Sequence, residues 1–171
     1  YGRQGTSTTH ALSKILTKLE GSYHVFLTPT GFGSVFLAMF SVVRPGDEIL
    51  VSDPVYSPTR ILTQDFFKDF NIKAIFYNPR DLSTLKDNIT KKTKLIFVEN
   101  PGSNTFEFQD LSKIISIAKK NKIFTAMDNT WGTPYFLKPI KLGFDMAIVS
   151  ATKYYSGHSD VMGGSLAVNK R

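Results

Sequence analysis

The chain has 171 residues, about one domain's worth and long enough to bury a sizeable core. Hydrophobic residues make up 42% and charged residues 20%, and there are no cysteines, which excludes intrinsic disorder, disulfides, zinc thiolate sites and cysteine nucleophiles. Lysine plus arginine (21) exceeds aspartate plus glutamate (14), giving +7, but the lysines are scattered apart from Lys91, Lys92 and Lys94, so no nucleic-acid partner is expected.

Residues 1–10 are polar and carry no apolar leader, and no stretch reaches the ~18–20 apolar residues of a membrane span. A cytoplasmic protein without a membrane partner is the expectation. From residue 24 onward, strand and helix signals alternate. Residues 24–27 form a short apolar run before a Thr-Pro-Thr-Gly turn. Residues 32–43 read as a helix ending at Arg44-Pro45-Gly46. A buried strand over 48–51 is followed by a helix over 58–71, with Pro58 at its start, where a missing N–H costs little. A strand over 72–76, a helix over 82–89 and a continuous apolar strand over 95–98 come next. Asp110 caps a helix to about Lys120, with Leu111, Ile114, Ile115 and Ala118 on one face. Strands over 123–127, 145–149 and 165–168 complete the pattern.

Such alternation predicts an α/β fold with a mostly parallel sheet of about seven strands and helices on both faces. Ligands in these sheets bind beyond the carboxyl ends of the strands. After the first strand, Thr30-Gly31-Phe32-Gly33 opens a helix; it is either a plain tight turn or a place where backbone N–H groups meet an anion. After the second, Tyr56 sits between Pro54 and Pro58, either a packed loop aromatic or a rigid ring that stacks on a planar ligand. After the fourth, Glu99-Asn100-Pro101-Gly102-Ser103-Asn104 reads simply as a turn cluster. Asp128 ends the fifth strand, where a buried carboxylate is costly unless paired; it is a helix cap or a counter-ion for a cation. After the sixth, Lys153 lies among the small hydroxyl residues Ser150, Thr152 and Ser156, a setting that suggests a desolvated, nucleophilic amine rather than a surface lysine. An amine, a carboxylate, a stacking aromatic and a glycine-and-hydroxyl cradle together make the inventory that pyridoxal phosphate requires. His158 is not needed as a base in such chemistry, and no cluster has metal-ligand spacing.

The run Ser150-Ala151-Thr152-Lys153-Tyr154 followed by Gly157-His158-Ser159-Asp160 resembles the cofactor-lysine signature of the cysteine/methionine-metabolism family of pyridoxal-phosphate enzymes. Tyr1-Gly2-Arg3, Leu19-Glu20-Gly21, Pro45-Gly46-Asp47 and Asp128-Asn129-Thr130 match that family in the same order. The resemblance implies the large, cofactor-binding domain of the fold type I, aspartate-aminotransferase-like class. It implies Lys153 as Schiff-base lysine and α-proton base, Asp128 on the pyridine nitrogen, and Tyr56 over the ring, assisting proton transfer. It further implies Gly31 and Phe32 N–H groups with the Ser150 and Thr152 hydroxyls on the phosphate, and Tyr1 and Arg3 reaching the phosphate of a neighbouring subunit in a homo-oligomer, a dimer of dimers. The Pro101-Gly102-Ser103 turn with Asp128-Asn129-Thr130-Trp131 is similar to bacterial cystathionine β-lyases, although Asn100 and Asn104 depart from that pattern. The implied reaction is β-elimination of L-cystathionine to homocysteine, pyruvate and ammonia; γ-synthase, γ-lyase or sulfhydrylase chemistry and an inactive remnant are the alternatives. An N-terminal arm, a smaller C-terminal domain and the arginine that binds the substrate carboxylate are expected to lie outside these 171 residues.

Overall fold

The computed structural model describes residues 2–170. After a 3-10 turn, Gly2–Gln4, comes a helix that the sequence pattern does not announce, α1 (Ser7–Glu20). Thr6 caps it: its hydroxyl accepts from the Thr9 N–H, and the Thr9 hydroxyl accepts from the Thr6 N–H. Gly21, at φ 66°, ends it in the left-handed conformation that favours glycine.

The remaining elements are β1 (His24–Thr28), α2 (Gly31–Val42), β2 (Glu48–Ser52), α3 (Ser57–Ile61), α4 (Phe67–Asp69), β3 (Lys73–Tyr77), α5 (Leu82–Asp87) and β4 (Thr93–Glu99). They continue with α6 (Leu111–Asn121), β5 (Phe124–Asp128), α7 (Thr133–Phe136), α8 (Pro139–Leu142), β6 (Met146–Val149) and β7 (Gly164–Val168). The single helix expected over 58–71 is interrupted by a π-turn, Leu62–Phe66, between α3 and α4. Thr63 turns its hydroxyl back onto the carbonyls of Thr59 and Arg60, a local bond that competes with regular helix geometry. The bulge also swings Phe66, Phe67 and Phe70 against Phe36 and Phe40 of α2.

The seven strands form one sheet in the order β1–β7–β6–β5–β4–β2–β3. β6, β5, β4, β2 and β3 pair in parallel. β7 is antiparallel to both of its neighbours, so β1 points the same way as β6. The carboxyl ends of six strands therefore share one edge, and that edge carries every loop singled out from the sequence.

Alternation along the strands fills two layers. On one face Ile49, Val51, Phe97, Ala126 and Ile148 pack under Val35, Ala38 and Met39 of α2. On the other, Leu50, Ile96, Val98 and Met127 meet Ile114, Ile115 and Ala118 of α6. Leu16 of α1 joins Val25, Ala147, Ala167 and Ile140 in a smaller cluster beside them. Asp110 caps α6 as expected, accepting from the Lys113 N–H at 2.9 Å.

Glu20, the last residue of α1, is fully buried. The Tyr155 hydroxyl donates to its Oε1 at 2.9 Å, while Oε2 has no hydrogen-bond partner among the described residues. Burial pushes this carboxyl up from 4.5 to about 7, against the opposing influence of the Tyr155 bond and the Lys138 charge.

Candidate active site

Three strand ends and one helix start meet at the sheet edge. Asp128, the last residue of β5, accepts from the Thr130 N–H at 2.9 Å. The Thr130 hydroxyl in turn accepts from the N–H of Ser150, the residue after β6, at 2.8 Å. Ser150 abuts Gly31, the first residue of α2: a Cβ on Gly31 would lie 2.5 Å from the Ser150 Cβ and 2.8 Å from its Cα. Glycine is required for that approach. Thr30 caps α2, accepting from the Gly33 N–H at 2.9 Å, which leaves the first N–H groups of the helix, those of Gly31 and Phe32, directed at the same edge.

Lys153 lies three residues beyond Ser150, in the turn after β6. Its side chain is exposed, which corrects the expectation of a desolvated lysine. The turn projects past the sheet edge, and residues 157–162 beyond it are exposed as well. The Thr152 hydroxyl, read from the sequence as a phosphate ligand, accepts from the Gly163 N–H at 3.1 Å and donates to the Gly163 carbonyl at 3.3 Å. The His158 Nδ1 is 2.8 Å from the Ser156 carbonyl oxygen. Arg3 is exposed on the 3-10 turn, and Tyr1 lies outside the described residues.

Tyr56 precedes α3 with its ring half exposed. Its backbone N–H donates to Oε2 of Glu99 at 2.6 Å. Glu99 ends β4 and stands in register with Asp128 on β5, so the two carboxyls are neighbours across a parallel ladder. Burial, and then the Asp128 charge, pushes Glu99 up to about 8; bonds from the Tyr56 amide and the Ser103 side chain pull the other way. Burial likewise raises Asp128. In the sequence Glu99 reads as part of a turn. The signal that singles out Asp128, a carboxylate closing an apolar strand, is equally present at Glu99.

Three exposed rings cluster after β5: Trp131 stands 5.5 Å from Phe106 and 6.2 Å from Tyr154 between ring centroids. A separate cleft of about 520 Å³ opens beside the Tyr56 loop, lined by Asp53, Val55, Arg60, Phe76, Asn104 and Glu107. Arg60 pairs there with Asp53 at 2.7 Å and lies 4.0 Å over the Phe76 ring. Lys153 and Asp128 do not line it.

The donor set fits pyridoxal phosphate. Helix-start N–H groups and a serine suit a phosphate, and an amine stands three residues beyond that serine. Burial favours a held proton on the paired acids, and among the described residues no cation is paired with Asp128, so a protonated ring nitrogen suits it. A mostly parallel sheet with these groups at one edge defines a fold type I pyridoxal-phosphate domain. The metY protein of Campylobacter jejuni, provisionally assigned as an O-acetylhomoserine (thiol)-lyase, superposes with a TM-score of 0.95 at 34% identity, over 99% of this chain and 42% of that one. Its crystal structure contains N'-pyridoxyl-lysine-5'-monophosphate. A Rhizobium johnstonii protein provisionally assigned as a cystathionine beta-lyase is 39% identical over 99% of this chain and 43% of its own length. The cystathionine beta-lyase of Bordetella avium is 35% identical over 99% and 42%, respectively. The family profile described as Cys/Met metabolism PLP-dependent enzyme matches residues 1–171, and the chain belongs to that family. It spans less than half the length of these relatives.

Proposed function

We propose that this chain is the cofactor-binding core of a pyridoxal-phosphate-dependent carbon–sulfur lyase that eliminates homocysteine from L-cystathionine. The observation that carries the reading is the linked series Asp128–Thr130–Ser150–Gly31 with Lys153 next to it. The curated relatives assigned as cystathionine beta-lyases support the substrate. A second reading, γ-elimination or sulfhydrylation on the same site, is favoured by the likeness to the Campylobacter metY protein.

The bound cofactor would supply an electron sink for the pair left on the substrate α-carbon when its proton is removed. The roles of the chain's own groups are those that the family resemblance implies. The N–H groups of Gly31 and Phe32 and the Ser150 and Thr152 hydroxyls would hold the phosphate. Asp128 would keep a proton on the ring nitrogen by offering a carboxylate oxygen. Lys153 Nζ would anchor the cofactor and then take the proton from the substrate α-carbon. The Tyr56 ring would cover one face, fixing the plane in which that proton leaves. A homo-oligomer in which Tyr1 and Arg3 reach a neighbouring subunit, and a cytoplasmic location, belong to the same proposal. Among the described residues no helix is long and apolar enough to cross a membrane.

The test is cofactor uptake followed by borohydride trapping and peptide mapping, then product analysis with L-cystathionine. A pyridoxyl group on Lys153 with pyruvate as product supports the lyase. A trapped group elsewhere, or none, refutes the site; 2-oxobutyrate in place of pyruvate moves the chemistry to γ-elimination.

A further inference from the structure

Glu99 has no part in the roles assigned above, yet three parts of the site converge on its carboxyl. From the β2–α3 loop, the Tyr56 amide donates to it at 2.6 Å. From its own loop, Ser103 bonds to it, while the Ser103 N–H holds Pro54 by its carbonyl at 2.7 Å. From the next strand, Asp128 stands beside it in register. The backbone of Glu99 is fixed as well: its N–H donates to the Ser52 hydroxyl at 3.1 Å, and its carbonyl accepts from Gln109 Nε2 at 3.0 Å. A side chain needed only to turn the chain would not be bonded from two separate loops while a second carboxyl stands beside it.

We propose that Glu99 is a positioning residue of the cofactor site, holding Tyr56 in place through its backbone amide and acting with Asp128 as a single acidic pair. Tyr56 opens α3, where its carbonyl accepts from the Thr59 N–H at 2.9 Å and the Arg60 N–H at 3.1 Å, so Glu99 holds the amide side of a residue whose carbonyl side the helix already holds. Asp128 is the titratable group facing Glu99; the Tyr56 amide and Ser103, which meet it from the other two sides, do not ionise. The pair can therefore hold one proton when no cation is present and release it when the ring nitrogen arrives. The cofactor arm of the test rests on the function proposed above; the amide-exchange arm does not.

The experiment compares wild type, Glu99→Ala and Glu99→Gln. Hydrogen exchange at the Tyr56 amide is measured first, without cofactor. Glu99→Ala is expected to speed exchange at Tyr56 about ten-fold, the loss of one hydrogen bond to an acidic group, while Glu99→Gln, which keeps an acceptor oxygen, stays near wild type. Pyridoxal phosphate is then added. Glu99→Ala is expected to bind it about ten-fold more weakly. In Glu99→Gln the alkaline midpoint of the visible cofactor absorbance moves down by about one pH unit, because a negative charge beside Asp128 has been removed. Wild-type exchange at Tyr56 in Glu99→Ala, or an unmoved midpoint in Glu99→Gln, overturns the assignment. If Glu99→Ala does not fold, loss of Tyr56 protection in Glu99→Gln also overturns it. A wild-type protein that takes up no cofactor defeats the proposed function, and the exchange result still decides the role of Glu99.

Discussion

Replacing Glu20 with glutamine tests whether burial at the end of α1 sets the pH dependence of stability. In the folded chain this carboxyl titrates at about 7, against 4.5 when solvated. The folded state therefore binds more protons than the unfolded chain between those values. Stability from this group is full at the acid end and is lost as pH rises through about 7. At about 1.4 kcal/mol per pH unit, the difference reaches about 3.5 kcal/mol once both states are ionised. Urea unfolding at a series of pH values supplies the measurement. Between about pH 5 and about pH 8.5, wild type should lose about 2–3 kcal/mol more than Glu20→Gln, which stays neutral and still accepts from Tyr155. Glu99 and Asp128 titrate in both proteins and cancel in the comparison. Parallel curves for the two proteins would refute the argument, since they would mean Glu20 is solvated or paired more strongly than its unpartnered Oε2 indicates.

Packing sets the remaining outcomes. A Cβ on Gly164 would lie 2.3 Å from the Thr30 carbonyl oxygen and 2.6 Å from the hydroxyls of Ser34 and Thr28, so Gly164→Ala should cost about 2 kcal/mol or more in thermal unfolding; an unchanged midpoint would contradict that crowding. Tyr77→Phe removes the 2.7 Å bond to Gln109 Oε1 in a fully buried setting and should cost about 1–3 kcal/mol by denaturant titration, with a cost near zero counting against the bond. Gly31→Ala forces α2 away from Ser150 and should weaken pyridoxal phosphate binding about ten-fold or more in a fluorescence titration; wild-type affinity would remove this helix start from the phosphate site.

All seven strands are legible in the sequence as short, mostly apolar runs; the inner strands β2 and β6 are buried along their whole length, the mark of a strand covered on both faces. Their expected boundaries fall within two residues of those observed: residues 95–98 mark the centre of Thr93–Glu99, and 123–127 anticipates Phe124–Asp128 by one. The direction of β7 is not legible, since a five-residue run such as Gly164–Val168 reads alike in either orientation. α1 escapes notice because its opening turn is polar and its apolar residues Leu12, Ile15, Leu16 and Leu19 are sparse, three of them exposed. The π-turn needs tertiary knowledge, as Thr63 prefers its carbonyl partners only once Phe66 and Phe70 have a surface to meet. At the site, Lys153, Asp128 and Tyr56 stand out because each lies at or just past the carboxyl end of a strand, where a parallel sheet presents its ligands. Glu99 occupies the same kind of position, but its turn-rich successors disguise the carboxylate itself.

The pairing of β1 with β7 has a consequence for how the molecule comes into being. β1 joins the sheet through β7, with His24 opposite Val168 and Thr28 opposite Gly164. At a synthesis rate of roughly 5–20 residues per second, β1 waits on the order of ten seconds for its partner. During that interval α1 can shelter Val25 through Leu16 and the Ser13 hydroxyl bond to the Val25 carbonyl, while the ladder edge of β1 stays open to any passing strand. The first β-strand made is thus among the last to be sealed, and the growing chain is most prone to mispairing just before residue 164 emerges.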